Sequence, residues 1–120
     1  MNKKNKGYIN NIIASLTKLS EELKDKDKAY ILSNDDHIEE IYNENIAYLE
    51  EILYAEEDEL ENMPNGAKSA QEAKIVFKNV NILDGAIDRL DGLVDALDKA
   101  YDGNETIDRI NKVIERLKEI

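Results

Sequence analysis

Six aspartates lie at 84, 88, 91, 95, 98 and 102, inside the stretch LDGAIDRLDGLVDALDKAYD. Their spacing of four, three, four, three and four residues is the period of an α-helix. At about 100° per residue they stay within about 40° of one line, a ladder about 27 Å long. Carboxylates set along a rigid helix can engage arginine and lysine through charge-assisted bonds, in imitation of a phosphate backbone. The arrangement is costly to an isolated helix, because like charges three or four residues apart repel by a few tenths of a kcal/mol each. No basic residue of the same helix shares the arc, since Arg89 falls near 140° and Lys99 near 60° from Asp84, at about 100° per residue. Two readings follow. Either the ladder is a solvated edge, or one paired with lysines of another helix (Lys18, Lys24, Lys26 or Lys28), or it is a surface for a basic partner.

A second acidic run, EEIYNENIAYLEEILYAEEDELE, adds Glu50, Glu51, Glu57, Asp58 and Glu61 to the candidate partner-binding set. It also holds Tyr42, Tyr48 and Tyr54, which lie about 120° apart on a helical projection, so at least one must leave the core. Tyr54 joins the candidates, because a ring among carboxylates suits a guanidinium-bearing partner. The bland reading of these rings is padding on the bundle surface with hydroxyls in water.

Catalytic and metal chemistry find little footing. There is one histidine, His37, and no cysteine. No Gly-rich phosphate loop and no pair of Glu-x-x-His motifs is present. His37 reads as a surface residue in the first turn of a helix, with no nucleophile to pair with. DGNE at 102–105 is too short for a calcium loop. The expectation is a protein that is no enzyme and carries no cofactor and no metal.

The elements that must position these residues are helical. Over 8–31, Ile9, Ile12, Leu16, Leu19 and Leu23 share one face. A second helix opens at SNDDH, with Ser33 or Asn34 as cap and Asp35 and Asp36 in the first turn. It carries Ile38, Tyr42, Ile46, Leu49, Leu53 and Leu60 and stops at ENMPNG, where Pro64 and Gly66 end it. The capping box SAQE (Ser69, Glu72) starts a third helix. Its apolar positions Ala73, Val76, Val80, Leu83, Ile87, Leu90, Val94, Leu97 and Tyr101 run to a stop at Gly103, with Asn104 capping the next helix. The last segment, 105–120, offers Ile107, Ile110, Val113, Ile114, Leu117 and Ile120. Four such helices joined by short loops predict an all-α, up-down bundle over residues 1–120, one acidic helical domain. The alternative is helical hairpins assembling as a coiled-coil oligomer, since Val80, Ile87 and Val94 alternate with Leu83, Leu90 and Leu97 as a and d positions. The stripe is broadened by Ile82, Ala86, Leu93 and Ala100, which suits a bundle interior.

The chain has 120 residues, one proline, five glycines and a formal charge of −11. The charge is uneven: residues 29–67 hold twelve acids and neither lysine nor arginine. Such a balance disfavours free nucleic acid and anionic membranes and favours a basic protein partner. With no signal peptide and no apolar run near the roughly 20 residues that span a bilayer, a soluble, cytoplasmic protein is expected.

The stretch EDELENMPNGAKSAQEAKIVFKNVNILDGAIDRLDGLVDAL resembles small acidic helical proteins of Firmicutes and their phages. Those carry an ENMP-like turn and then a serine-capped helix with an AIDxL repeat; Glu61, Asn62, Met63, Pro64, Ser69, Ala86, Ile87, Asp88 and Leu90 carry the likeness. Lys74 and Lys78 stand where acids are usual. The resemblance implies a phage or mobile-element origin and brings no site with it.

Three functional expectations follow. The first is a non-catalytic inhibitor that occupies the nucleic-acid-binding surface of a basic defence protein, such as a restriction or CRISPR nuclease. The second is a structural or assembly protein acting through coiled-coil self-association, hence a possible homo-oligomer. The third is an oligomer that sequesters a nucleotide, using Lys68, Lys74 and Lys78.

Overall fold

The computed structural model describes residues 1–63, 67–99 and 101–120, and of 67–69 the backbone alone. Five α-helices follow in order: α1 (Lys3–Leu23), α2 (Lys28–Ser33), α3 (Asp35–Glu61), α4 (Ala67–Asp95) and α5 (Gly103–Leu117). A short 3-10 turn at Leu97–Lys99 precedes α5, and no strand occurs among the described residues. The four long helices alternate in direction and form a ring: α3 packs on α4, α4 on α5, α5 on α1, and α1 on α3. This is an all-α bundle. Among the described residues no helix is long and apolar enough to cross a membrane.

The apolar faces expected of each helix meet in one core. Ile9, Ile12, Leu16, Leu19 and Leu23 of α1 are buried against Ile38, Tyr42, Ile46, Leu49 and Leu53 of α3 and Ile110, Val113, Ile114 and Leu117 of α5. On α4 the broad stripe decides the packing. Ile82, Ala86 and Leu93 are buried with Leu83, Ile87 and Leu90, whereas the heptad positions Val80 and Val94 are only half-buried. The seam that could have zipped two chains together is thus consumed inside one chain, where α4 must face both α3 and α5. Ala100, the outer member of that stripe, lies outside the described residues.

Helix boundaries depart from the sequence reading in three places, each for a tertiary reason. The first helix ends at Leu23 instead of running to 31. There Asp25 adopts a left-handed φ of 59°, and its N–H donates to Asn104 Oδ1 at 3.1 Å. Asp27 then caps α2, accepting from the Tyr30 N–H at 2.8 Å. At the second boundary neither expected side chain caps α3. Asn34 is the cap residue without a side-chain cap bond, and its amide donates to the Tyr30 carbonyl at 2.8 Å. Asp35 and Asp36 do occupy the first turn. At the third, α4 stops at Asp95. Leu97 stays buried in the 3-10 turn, and the chain swings into α5 with Asp102, not Asn104, as its cap. Pro64, Gly66 and the Ser69 side chain of the capping box lie outside the described residues.

Gly103 is a contact residue, not a helix stop. Its N–H donates to the Lys26 carbonyl at 2.8 Å. A methyl group there would collide with the Leu23 carbonyl oxygen and stand 2.9 Å from that of Lys26. Backbone meets backbone at this point, so neither side can yield cheaply. Gly85, by contrast, sits within α4 with nothing near a would-be Cβ. Gly103→Ala is therefore expected to lower stability by about 2 kcal/mol or more. Gly85→Ala should raise it by about 0.5–1 kcal/mol. Urea denaturation followed by circular dichroism reads both, and a Gly103→Ala protein as stable as the parent would show that the clasp is dispensable.

Candidate functional site

Asp84, Asp88, Asp91 and Asp95 all project from α4 into solvent, and so does Asp98 in the 3-10 turn. Asp102 is exposed too, but it has different work: its carboxylate accepts the Glu105 N–H at 2.9 Å as the cap of α5. The helical ladder is thus four rungs long, with Asp98 beyond its end. Among the described residues, no ladder aspartate forms an ion pair within the chain. Lys18, Lys24, Lys26 and Lys28, the lysines considered as partners, form none with it either. Lys26 instead stands 5.0 Å from the centre of the Tyr30 ring.

The basic residues of this end of the molecule lie on the other flank of α4. Arg89, Lys99, Arg109 and Lys112 line a groove of about 300 Å³ between α4 and α5, together with Gly92, Ala96 and Tyr101. Arg109 pairs there with Glu105 at 3.5 Å and lies 4.3 Å from the Tyr101 ring centre. Of the ladder, only Asp95 borders this groove. Opposite charges are therefore segregated to two sides of one helix.

The α3 candidates form a second stripe. Glu50, Tyr54, Glu57 and Glu61 follow one another at four, three and four residues, the same helical period as the ladder. Glu50 is half-buried and the others are exposed, as are Glu51 and Asp58. Asn45 and Tyr48 of α3 reach toward α1, where Asn45 bonds to Ser15 and Tyr48 stacks on Tyr8. The Glu50–Glu61 stripe lies on the opposite flank, toward α4, by about 100° per residue. On α4 the ladder lies away from the α5 flank, toward α3. Both acidic stripes thus border the outer side of the α3–α4 hairpin.

One residue of this face escaped the sequence reading. Phe77 is 57% exposed and sits seven residues before Asp84, two helical turns along the line of the ladder. That heptad offset was the available signal, masked by its buried neighbour Val76. Tyr54 is 62% exposed, so each acidic stripe carries one solvent-facing aromatic ring. Both rings lie on the outer side of the hairpin, turned away from α1 and α5, which pack on its inner side.

No match identifies the chain. Comparison with protein-family models, with curated proteins and with solved structures returned nothing similar. The geometry itself must carry the functional argument. Among the described residues no three His, Asp or Glu side chains converge to hold a metal ion. His37, exposed, pairs with Glu22 at 3.2 Å. Lys74 and Lys78 are exposed on α4, and the Lys68 side chain lies outside the described residues.

One acid of the α3 run turns inward. Glu56 is 1% exposed, with Oε1 3.8 Å from the Met1 amine and Oε2 without a hydrogen-bond partner. Burial raises its pKa above the usual carboxylate value, the Met1 ammonium opposes that rise, and Glu59 adds to it. A raised folded pKa means that the protonated form favours the fold. That stability is complete below the unfolded value near pH 4 and is lost as pH rises through the folded one. Glu56→Gln, neutral at every pH, is thus expected to raise the melting temperature at pH 8 by a few degrees, about 1 kcal/mol for a chain of this size, and to change little at pH 4. A lower melting temperature at pH 8 would mean that the pairing with Met1 outweighs the burial.

Proposed function

We propose that the protein is a non-catalytic inhibitor, encoded by a phage or another mobile element, that acts in the cytoplasm. It lays the outer acidic face of its α3–α4 hairpin onto the nucleic-acid-binding surface of a basic host defence protein of the restriction or CRISPR nuclease type. The observation that carries the reading is the unpaired ladder. Asp84, Asp88, Asp91 and Asp95 are exposed and, among the described residues, no cation is bonded to them, although Arg89 belongs to the same helix and Arg109 and Lys112 line the far side of it. Held on a helix backed by a packed core, these carboxylates pay little further ordering entropy on meeting arginines and lysines. Tyr54 and Phe77 add aromatic surface of the kind that anchors protein interfaces. A surface that mimics nucleic acid competes with it and shares its sensitivity to salt.

Self-association through the α4 heptad has less support, because Leu83, Ile87, Leu90 and Leu97 of that seam are buried within the chain. The test is retention of a partner by the immobilised protein from a low-GC Gram-positive lysate. A nucleic-acid-binding protein should be held, then released by duplex DNA and by high salt. The triple reversal Asp88→Lys, Asp91→Lys and Asp95→Lys should reduce retention at least about tenfold, equivalent to about 1.4 kcal/mol, with circular dichroism and melting unchanged. Equal retention by the triple variant, or no release by DNA, would contradict the reading.

A further inference from the structure

A cavity of about 250 Å³ opens between α1 and α3, away from the outer acidic face, lined by Tyr8, Asn11, Ser15, Glu44, Asn45 and Tyr48 over Ile12. Its floor is built. Asn45 is 4% exposed and donates its two amide hydrogens to Ser15 Oγ at 3.1 Å and to the Ile41 carbonyl at 3.0 Å. Among the described residues nothing donates to its side-chain carbonyl oxygen, which is left as a free acceptor in the cavity lining. Glu44 is the one charged residue of the lining and supplies a second acceptor, negatively charged. Tyr8 and Tyr48 stack with ring centroids 5.7 Å apart and planes at 22°. This pair already draws a cation: Lys4 Nζ stands 5.8 Å from the Tyr8 centroid.

We propose that this cavity binds a guanidinium group. The lining asks for a cation that is flat and rich in in-plane donors, so that N–H groups meet Asn45 Oδ1 and the Glu44 carboxylate while the π face lies against tyrosine. A guanidinium has that shape, with five donors in an arginine side chain, and is weakly hydrated. An ammonium is compact and strongly hydrated and gains less from an aromatic wall. The group can arrive as an arginine side chain of a protein or as a free guanidino compound.

The experiment uses the full-length 15N-labelled chain and three probes: N-acetyl-arginine methylamide, guanidinium ion and N-acetyl-lysine methylamide. Saturable shifts of the Asn45 side-chain amide and of the Tyr8 and Tyr48 environments are expected with the arginine probe in the millimolar range. The lysine probe should bind at least about fivefold more weakly. Glu44→Gln should weaken the arginine probe about three- to tenfold, and Tyr48→Leu should do so as well; both positions are solvent-facing enough to leave the fold intact, which circular dichroism checks. The Asp88, Asp91 and Asp95 reversal should bind the probe as the parent does, which separates this site from the acidic face. Tighter binding of the arginine probe than of guanidinium ion marks a peptide arginine as the occupant, and equal binding marks a free guanidino compound. No saturable shift at Asn45, or equal binding of the lysine probe, overturns the proposal.

Discussion

The width of the apolar stripe on α4 governs the rest of the molecule. Ile82, Ala86 and Leu93 extend the heptad seam to one side, and all three are buried. A stripe that broad cannot be covered by one neighbour, so α4 lies between α3 and α5 and its rotation about its own axis is settled by core burial. Everything else on α4 then has an assigned direction. Arg89, Gly92 and Ala96 look onto α5, and the aspartates look out beside α3. The charge segregation follows from hydrophobic packing, with no ion pair needed to enforce it.

A second constraint closes the ring. Leu23, Asp25, Lys26, Gly103 and Asn104 join the end of α1 to the start of α5: the Gly103 N–H donates to the Lys26 carbonyl, the Asp25 N–H to Asn104 Oδ1, and the Asn104 amide to the Asp25 carboxylate. The clasp shortens the first helix, ends the run from α4 and recruits Asp102 as a cap. Polar side chains at the corners therefore serve the fold, while Tyr54, Glu57 and Glu61 of α3 and the aspartates of α4 are left to solvent. This division leaves the middle acids unengaged and gives Asp102, still exposed, a capping bond within the fold.

Much of this organisation is legible in the sequence. The four amphipathic segments, their shared core and the outward aspartates follow from helical period alone. Period would also place Glu56 inside, four residues after Ile52 and three after Leu53, and Phe77 on the ladder line, seven before Asp84. The boundaries were not legible, because Asp25 and Asn104 are 79 residues apart and nothing local announces their contact. The α1–α3 cavity was hidden for the same reason. Tyr8 and Tyr48 become a pair only when two helices pack, and Asn45 reads as an ordinary polar residue until both its donors are seen to be used.

On the proposed function, the outer side of the α3–α4 hairpin is the surface that meets a basic partner. The most direct measurement is a nuclear magnetic resonance titration of the labelled protein with a short arginine-rich peptide, mapping backbone amide shifts at low and high salt. Besides any shifts at the Asn45 cavity, which the Asp88, Asp91 and Asp95 reversal should leave in place, shifts are expected at Tyr54, Glu57 and Phe77 and along Asp84–Asp95, fading as salt is raised, with the Arg89–Lys99–Lys112 flank undisturbed. Shifts spread evenly over every acidic site, including Glu21, Asp35 and Asp36, would contradict it and leave the ladder a solvated edge.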